Sequence, residues 1–136
     1  MPPFLLDTTN LLLIAAALVS GGMIAWPVLR ARAGGPTLST LAATQLINSR
    51  DVQIVDVRPA DQFGRGSLRG SRNLPLVDVA RRAGELDRKR PVLVVCELGR
   101  SASLAAVKFR SAGLPEVYIL GGGLSAWRAA GLPVAT

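Results

Sequence analysis

The stretch Val92-Leu93-Val94-Val95-Cys96-Glu97-Leu98-Gly99-Arg100-Ser101 decides the fold. Four consecutive apolar residues without alternation read as a parallel strand buried on both faces. At Cys96 the strand gives way to a short loop containing a glycine, and a helix is expected from about Ser101 to Ala112, ended by Gly113 and Pro115. Cys96 thus stands at the carboxyl end of a strand, where open parallel sheets gather their functional groups. Successive backbone N–H groups and the positive end of the helix dipole converge there, a setting that stabilises an anionic sulfur or an anion attached to it. Gly99 lets the loop curl tightly, and Arg100 adds a cation four positions after the cysteine. A lone cysteine after a core strand can also be a small buried hydrophobe. Its place at a strand end, with a glycine and an arginine in the loop, favours the functional reading.

Working outward, Val117 to Leu120 reads as a second buried strand, followed by Gly121-Gly122-Gly123 and a final helix through about Ala130. Upstream, Ser39 or Thr40 caps a helix through about Asn48 with Leu41, Leu46 and Ile47 on its apolar side. Val52 to Val57 is a short strand, Ala60 to Phe63 a short helix, Gly64 to Arg72 a Gly- and Arg-rich loop, and Val77 to Glu85 a further helix. Strands alternating with helices predict an α/β domain with a mainly parallel central sheet flanked by helices. Asp56 and Arg58 end their strand on the same edge as Cys96. Arg58 can reach the pocket to bind an anion, or pair with a carboxylate such as Asp61. Gly122 and Gly123 read as turn formers and Trp127 as a packing residue.

Composition narrows the chemistry. With 136 residues the chain has room for one compact domain and little else. It holds one cysteine and no histidine, which excludes an intrachain disulfide, Cys-His dyads, Ser-His-Asp triads and most zinc sites. No residue cluster suggests a metal or an organic cofactor. A mean hydropathy of +0.35 beside 18% charged residues means that the apolar residues are concentrated in one place.

That place is the N-terminus. Thr8 to Leu29 carries no charge, and an apolar run of this length can span a bilayer core as a helix. Residues 1–10 are expected to form a tail, 11–30 a transmembrane helix, 31–36 a linker around Gly34-Gly35-Pro36, and 37–136 the folded domain. Gly21, Gly22 and Pro27 are tolerated in such a helix, and Trp26 suits an interfacial anchor. A buried helix and a cleaved signal peptide are the alternatives; Asp7 and the lack of a basic n-region speak against the second. Arg30 and Arg32 follow the span, so the positive-inside rule expects a single-pass protein of the plasma or inner membrane with its domain in the cytoplasm. The net charge is +7, and because only Asp7, Arg30 and Arg32 precede residue 36, the domain itself carries about +6. No aromatic interleaving or known motif accompanies these charges, so no nucleic acid partner is expected. A domain tethered to an anionic leaflet has its own use for positive charge.

The segment Thr37 to Val134 resembles the single-domain rhodanese family, the thiosulfate sulfurtransferase-like proteins. The resemblance rests on Ile54-Val55-Asp56-Val57-Arg58 with Phe63, Gly70 to Leu76, the cysteine loop from Val92 to Ser101, and Leu120 to Trp127 ending in Gly131-Leu132-Pro133-Val134. Their order and spacing over about one hundred residues make the match. The resemblance implies that Cys96 accepts sulfane sulfur from a small anionic donor such as thiosulfate. Cys96 would hold the sulfur as a persulfide and pass it to cyanide or a thiol, protein thiols included. The loop amides of Glu97, Leu98, Gly99, Arg100 and Ser101 would cradle the transferred group. Ser101 stands where many relatives carry an arginine, Gln62 replaces an acidic residue before Phe63, and Ser67 a common histidine. Glu97 places a carboxylate inside an anion-binding loop, which predicts weakened thiosulfate binding. A phosphatase branch of the fold needs an arginine six positions after the cysteine, and position 102 is Ala. A non-catalytic sulfur carrier or protein-interaction module of the same fold is the remaining alternative.

Overall fold

A computed structural model describes residues 3–33 and 35–136. Met1, Pro2 and Gly34, from the expected tail and linker, lie outside the described residues, as do the side chains of residues 30–33. The chain divides into two units, Met1–Arg32 and Ala33–Thr136.

The first unit holds a 3-10 turn, Pro3–Leu6, and the helix α1, Thr8–Ala33. The helix begins and ends three residues outside the expected limits of 11 and 30. Asp7 sets its start, accepting a hydrogen bond from the Thr9 amide at 3.2 Å on its side chain and one from the Leu11 amide at 2.9 Å on its carbonyl. The 22 residues Thr8–Leu29 form one helix near the N-terminus that is long and apolar enough to cross a membrane.

The second unit is the α/β domain. Its elements are β1 (Thr37–Leu38), α2 (Thr40–Ser49), β2 (Gln53–Asp56), α3 (Ala60–Gly64), β3 (Arg72–Asn73), α4 (Val79–Arg82), β4 (Val92–Val95), α5 (Arg100–Ser111), β5 (Val117–Leu120) and α6 (Gly123–Ala129). The sheet has the order β1-β5-β4-β2-β3 and every pairing in it is parallel. The expected helix over 77–85 is instead a broken segment. Only Val79–Arg82 is α-helical, with 3-10 turns at Leu76–Asp78 and Ala83–Glu85 on either side. Gly84 interrupts it, and no run of apolar residues is long enough to sustain an α-helix there.

Alternate residues of each strand feed two cores. Val92 and Val94 point into a cluster with Val55, Phe109 and Ile119, whereas Leu93 and Val95 join Ile54, Leu120 and Trp127 on the other face. All four β4 residues are fully buried, as the unalternated run predicts. Ser39 caps α2, its hydroxyl oxygen accepting from the Ala42 amide at 3.1 Å. Asp56 pairs in register with Val95, so the two strand ends that carry Arg58 and Cys96 lie level on one edge.

Candidate active site

Two elements shape the loop after β4. The carbonyl oxygens of Cys96 and Glu97 accept hydrogen bonds from the amides of Leu124 and Ser125 at 2.8 and 3.0 Å, at the start of α6. On the other side of the loop the chain turns at Gly99, whose φ of +100° only glycine adopts freely. The amide of Gly99 then donates to the Cys96 Sγ at 2.8 Å, and the amide of Ala102, in the first turn of α5, donates to the same sulfur at 3.3 Å. The first amides of a helix have no intrahelical acceptor, so those of Arg100 and Ser101 are equally available to an anion held on the sulfur.

Cys96, itself buried, lines a cleft of about 500 Å³. Arg58, Glu97, Leu98, Arg100 and Ser101 line it with Cys96, while Gly99 contributes through its amide. Of the residues picked from the sequence, all but Gly99 share the lining of this cleft with Cys96, and the Gly99 amide meets the sulfur itself. Val77 and Leu98 stand at the cleft largely exposed, and Arg100 is exposed with no carboxylate partner among the described residues.

Arg58 forms the expected structural ion pair, though with a different carboxylate, and still lines the cleft. Its pair is Asp56, not Asp61: Nη2 lies 2.9 Å from Asp56 Oδ2, and both side chains are buried. Its Nε also donates to the Asp56 carboxylate, and Nη2 reaches the Gly66 carbonyl at 2.6 Å. Asp61 forms only an exposed pair with Arg65, one turn along the chain at 3.5 Å. The Asp56 carboxylate takes further hydrogen bonds from the Arg58 amide and from the Ser67 hydroxyl at 2.6 Å, so the buried charges are fully partnered. Ser67, itself buried, thus serves the ion pair through Asp56.

The Glu97 carboxylate is also not the bare negative charge expected. One oxygen accepts from Arg58 Nη1 at 3.3 Å and the other from Arg128 Nη1 at 2.7 Å. Arg128, from α6, was not marked by any sequence signal. Gly123, read as a turn former, has a packing role besides: a Cβ there would stand 2.5 Å from the Glu97 carbonyl oxygen and closer still to that of Cys96. The glycine triplet in the sequence is the trace of that close approach. Trp127 packs as expected, its Nε1 donating to the Pro133 carbonyl at 2.9 Å.

The family profile described as Rhodanese-like domain matches residues 39–130. The chain is 39% identical over 93 residues to the thiosulfate sulfurtransferase GlpE of Shewanella oneidensis, an alignment that covers 68% of this chain and 92% of that protein. It is 37% identical over 95 residues to the uncharacterized protein YibN of Escherichia coli K12, covering 68% of this chain and 66% of that one. Among solved structures, a rhodanese-related protein from Thermoplasma volcanium superposes with a TM-score of 0.65 at 26% identity, covering 74% of this chain and 97% of that one.

Proposed function

This chain belongs to the rhodanese-like domain family, and from that premise we propose that it is a membrane-anchored sulfurtransferase working through a persulfide on Cys96. Relatives named thiosulfate sulfurtransferase support sulfurtransferase chemistry at the level of the family. The observation that carries the reading to this chain is the convergence of the Gly99 and Ala102 amides on the Cys96 sulfur at the cleft.

In the first half-reaction the Cys96 thiolate attacks the outer sulfur of thiosulfate. The new bond joins the two sulfurs, the S–S bond of thiosulfate breaks, and sulfite leaves with the electron pair. The persulfide so formed is an anion one atom further into the cleft, within reach of the first-turn amides of α5. In the second half-reaction cyanide or a thiolate attacks the outer sulfur, and the electron pair returns to the Cys96 sulfur. Thiocyanate or a new persulfide departs and the enzyme thiolate is restored. No external oxidant or reductant is needed. Cys96 is the catalytic residue; the loop from Glu97 to Ser101 and Arg58 are the substrate-binding set in this reading. The helix Thr8–Leu29 supplies the anchor, with the domain on the cytoplasmic side of the membrane.

Intact mass tests the reading. Exposure to thiosulfate should add about 32 Da, one sulfur atom, and cyanide should remove it, with Cys96→Ser gaining nothing. A cysteine that stays unmodified would overturn sulfur transfer. A persulfide that forms but resists cyanide and small thiols would favour the carrier alternative.

A further inference from the structure

Four charged side chains run in alternation from the buried interior past the cleft to the surface: Asp56, Arg58, Glu97 and Arg128. Two carboxylates face two guanidiniums, so the row is electrically balanced. Its buried end is fixed, because Arg58 is held by Asp56 and by the Gly66 carbonyl. At its outer end both oxygens of Glu97 are engaged, and this same side chain lines the cleft with the reactive sulfur. Without Glu97, Arg58, which lines the cleft, would keep Asp56 but lose the partner of its Nη1, and Arg128 would lose its carboxylate partner beside the cleft.

We propose that Glu97 is a specificity-determining residue, an internal anion that occupies the Arg58 and Arg128 guanidiniums and so sets how strongly the cleft discriminates among ligands by charge. Arg128 is the positioning residue that shares in this balance from α6. The inference rests on the sulfurtransferase reading for its consequence: among the described residues, a doubly charged donor such as thiosulfate meets only Arg100 as a free cation lining the cleft. A donor with the same S–S bond and one charge fewer loses little there. The balance itself is a property of the cleft and can be read without sulfur transfer.

Because the chain has one cysteine, alkylation reports on Cys96 alone. The full-length protein in detergent is treated with iodoacetate, an anion, and iodoacetamide, its neutral counterpart, and the ratio of the two rate constants measures the potential at the sulfur. Loop distortion affects both reagents, so the ratio isolates charge. Glu97→Gln should raise the iodoacetate to iodoacetamide ratio about threefold to tenfold, and Arg128→Gln should lower it by a similar factor. The double variant, balanced again, should return close to the parent ratio. All shifts should shrink at high salt. In turnover, the preference for thiosulfate over methanethiosulfonate, a monoanion with the same S–S chemistry, should follow the same order. Equal ratios in all four proteins would overturn the inference and leave sulfur transfer standing. Shifted alkylation ratios in a protein that forms no persulfide would overturn the functional reading and leave the charge balance standing.

Discussion

The Leu124 amide donates to the Cys96 carbonyl oxygen at 2.8 Å, so the start of the last helix holds the outer side of the cysteine loop. This contact, with the one from Ser125 to Glu97, turns two carbonyls away from the sulfur. Amides are thereby left to face it. The approach is close enough that the intervening residue has to lack a side chain.

Gly123→Ala should therefore break the loop. The added carbon would meet backbone oxygens on two residues, neither of which can swing aside as a flexible side chain would, and the site has a φ of +60°. A loss of roughly 1–3 kcal/mol in urea unfolding is expected, together with a larger relative loss of persulfide formation than of stability. Parent-like stability and activity would mean that α6 does not brace the loop.

How much of this was legible in the sequence depends on the range of the interaction. β4 and β5 announced themselves because four apolar residues in a row have few other uses. The strands β1 and β3 are two residues long, too short for any periodicity, and exist through pairing with β5 and β2. The cysteine loop was readable because strand, glycine and helix are contiguous. The partners of its charges were not. Arg58 pairs two residues back with Asp56 rather than forward with Asp61, since both Asp56 and Arg58 turn inward at the strand end where Ser67 completes their hydrogen bonds. Glu97 meets Arg128 across 31 residues of sequence.

The buried pair Asp56–Arg58 is expected to respond asymmetrically to substitution. Arg58→Leu leaves the Asp56 carboxylate buried with only the Ser67 hydroxyl and a backbone amide, and should cost about 3–5 kcal/mol in denaturant unfolding. Combining it with Asp56→Asn removes the stranded charge and should recover part of that loss. A double variant no more stable than Arg58→Leu alone would show that geometry, not charge, is what the pair supplies.

At the opposite edge of the sheet, the hydrogen bond from Arg50 holds the Glu116 carboxyl below its usual 4.5, with the Tyr118 hydroxyl donating as well. The Glu85 carboxyl is lowered in the same way by Arg82. A carboxylate lowered in the folded state contributes stability fully above its unfolded value and loses it as pH falls through the folded one. Both pairs are partly exposed at the surface, so the contributions are small and salt-sensitive. Side-chain carboxyl shifts followed by NMR against pH should show Glu116 titrating below 4.5 in the parent and moving up in Arg50→Gln, while Glu85 stays in place. An unmoved Glu116 would remove Arg50 as the cause.

The last expectation concerns the membrane. The apolar stretch Thr8–Leu29 is preceded by Asp7 and followed by Arg30 and Arg32, and basic residues retained on the cytoplasmic side orient such a span. With that orientation, residues 37–136 are expected to lie where thioredoxin and glutathione keep Cys96 reduced, which a thiolate nucleophile requires. Expressed in a bacterial inner membrane, the domain should resist protease added to intact spheroplasts and succumb once they are lysed. Replacing Arg30 and Arg32 by Gln while adding two lysines before Thr8 should invert a fraction of the molecules and expose the domain. Digestion of the parent domain in intact spheroplasts would reverse the topology. Recovery of a soluble form beginning near Gly34 would instead identify the helix as a cleaved signal and move Cys96 to an oxidising compartment, where a persulfide cycle needs a different acceptor.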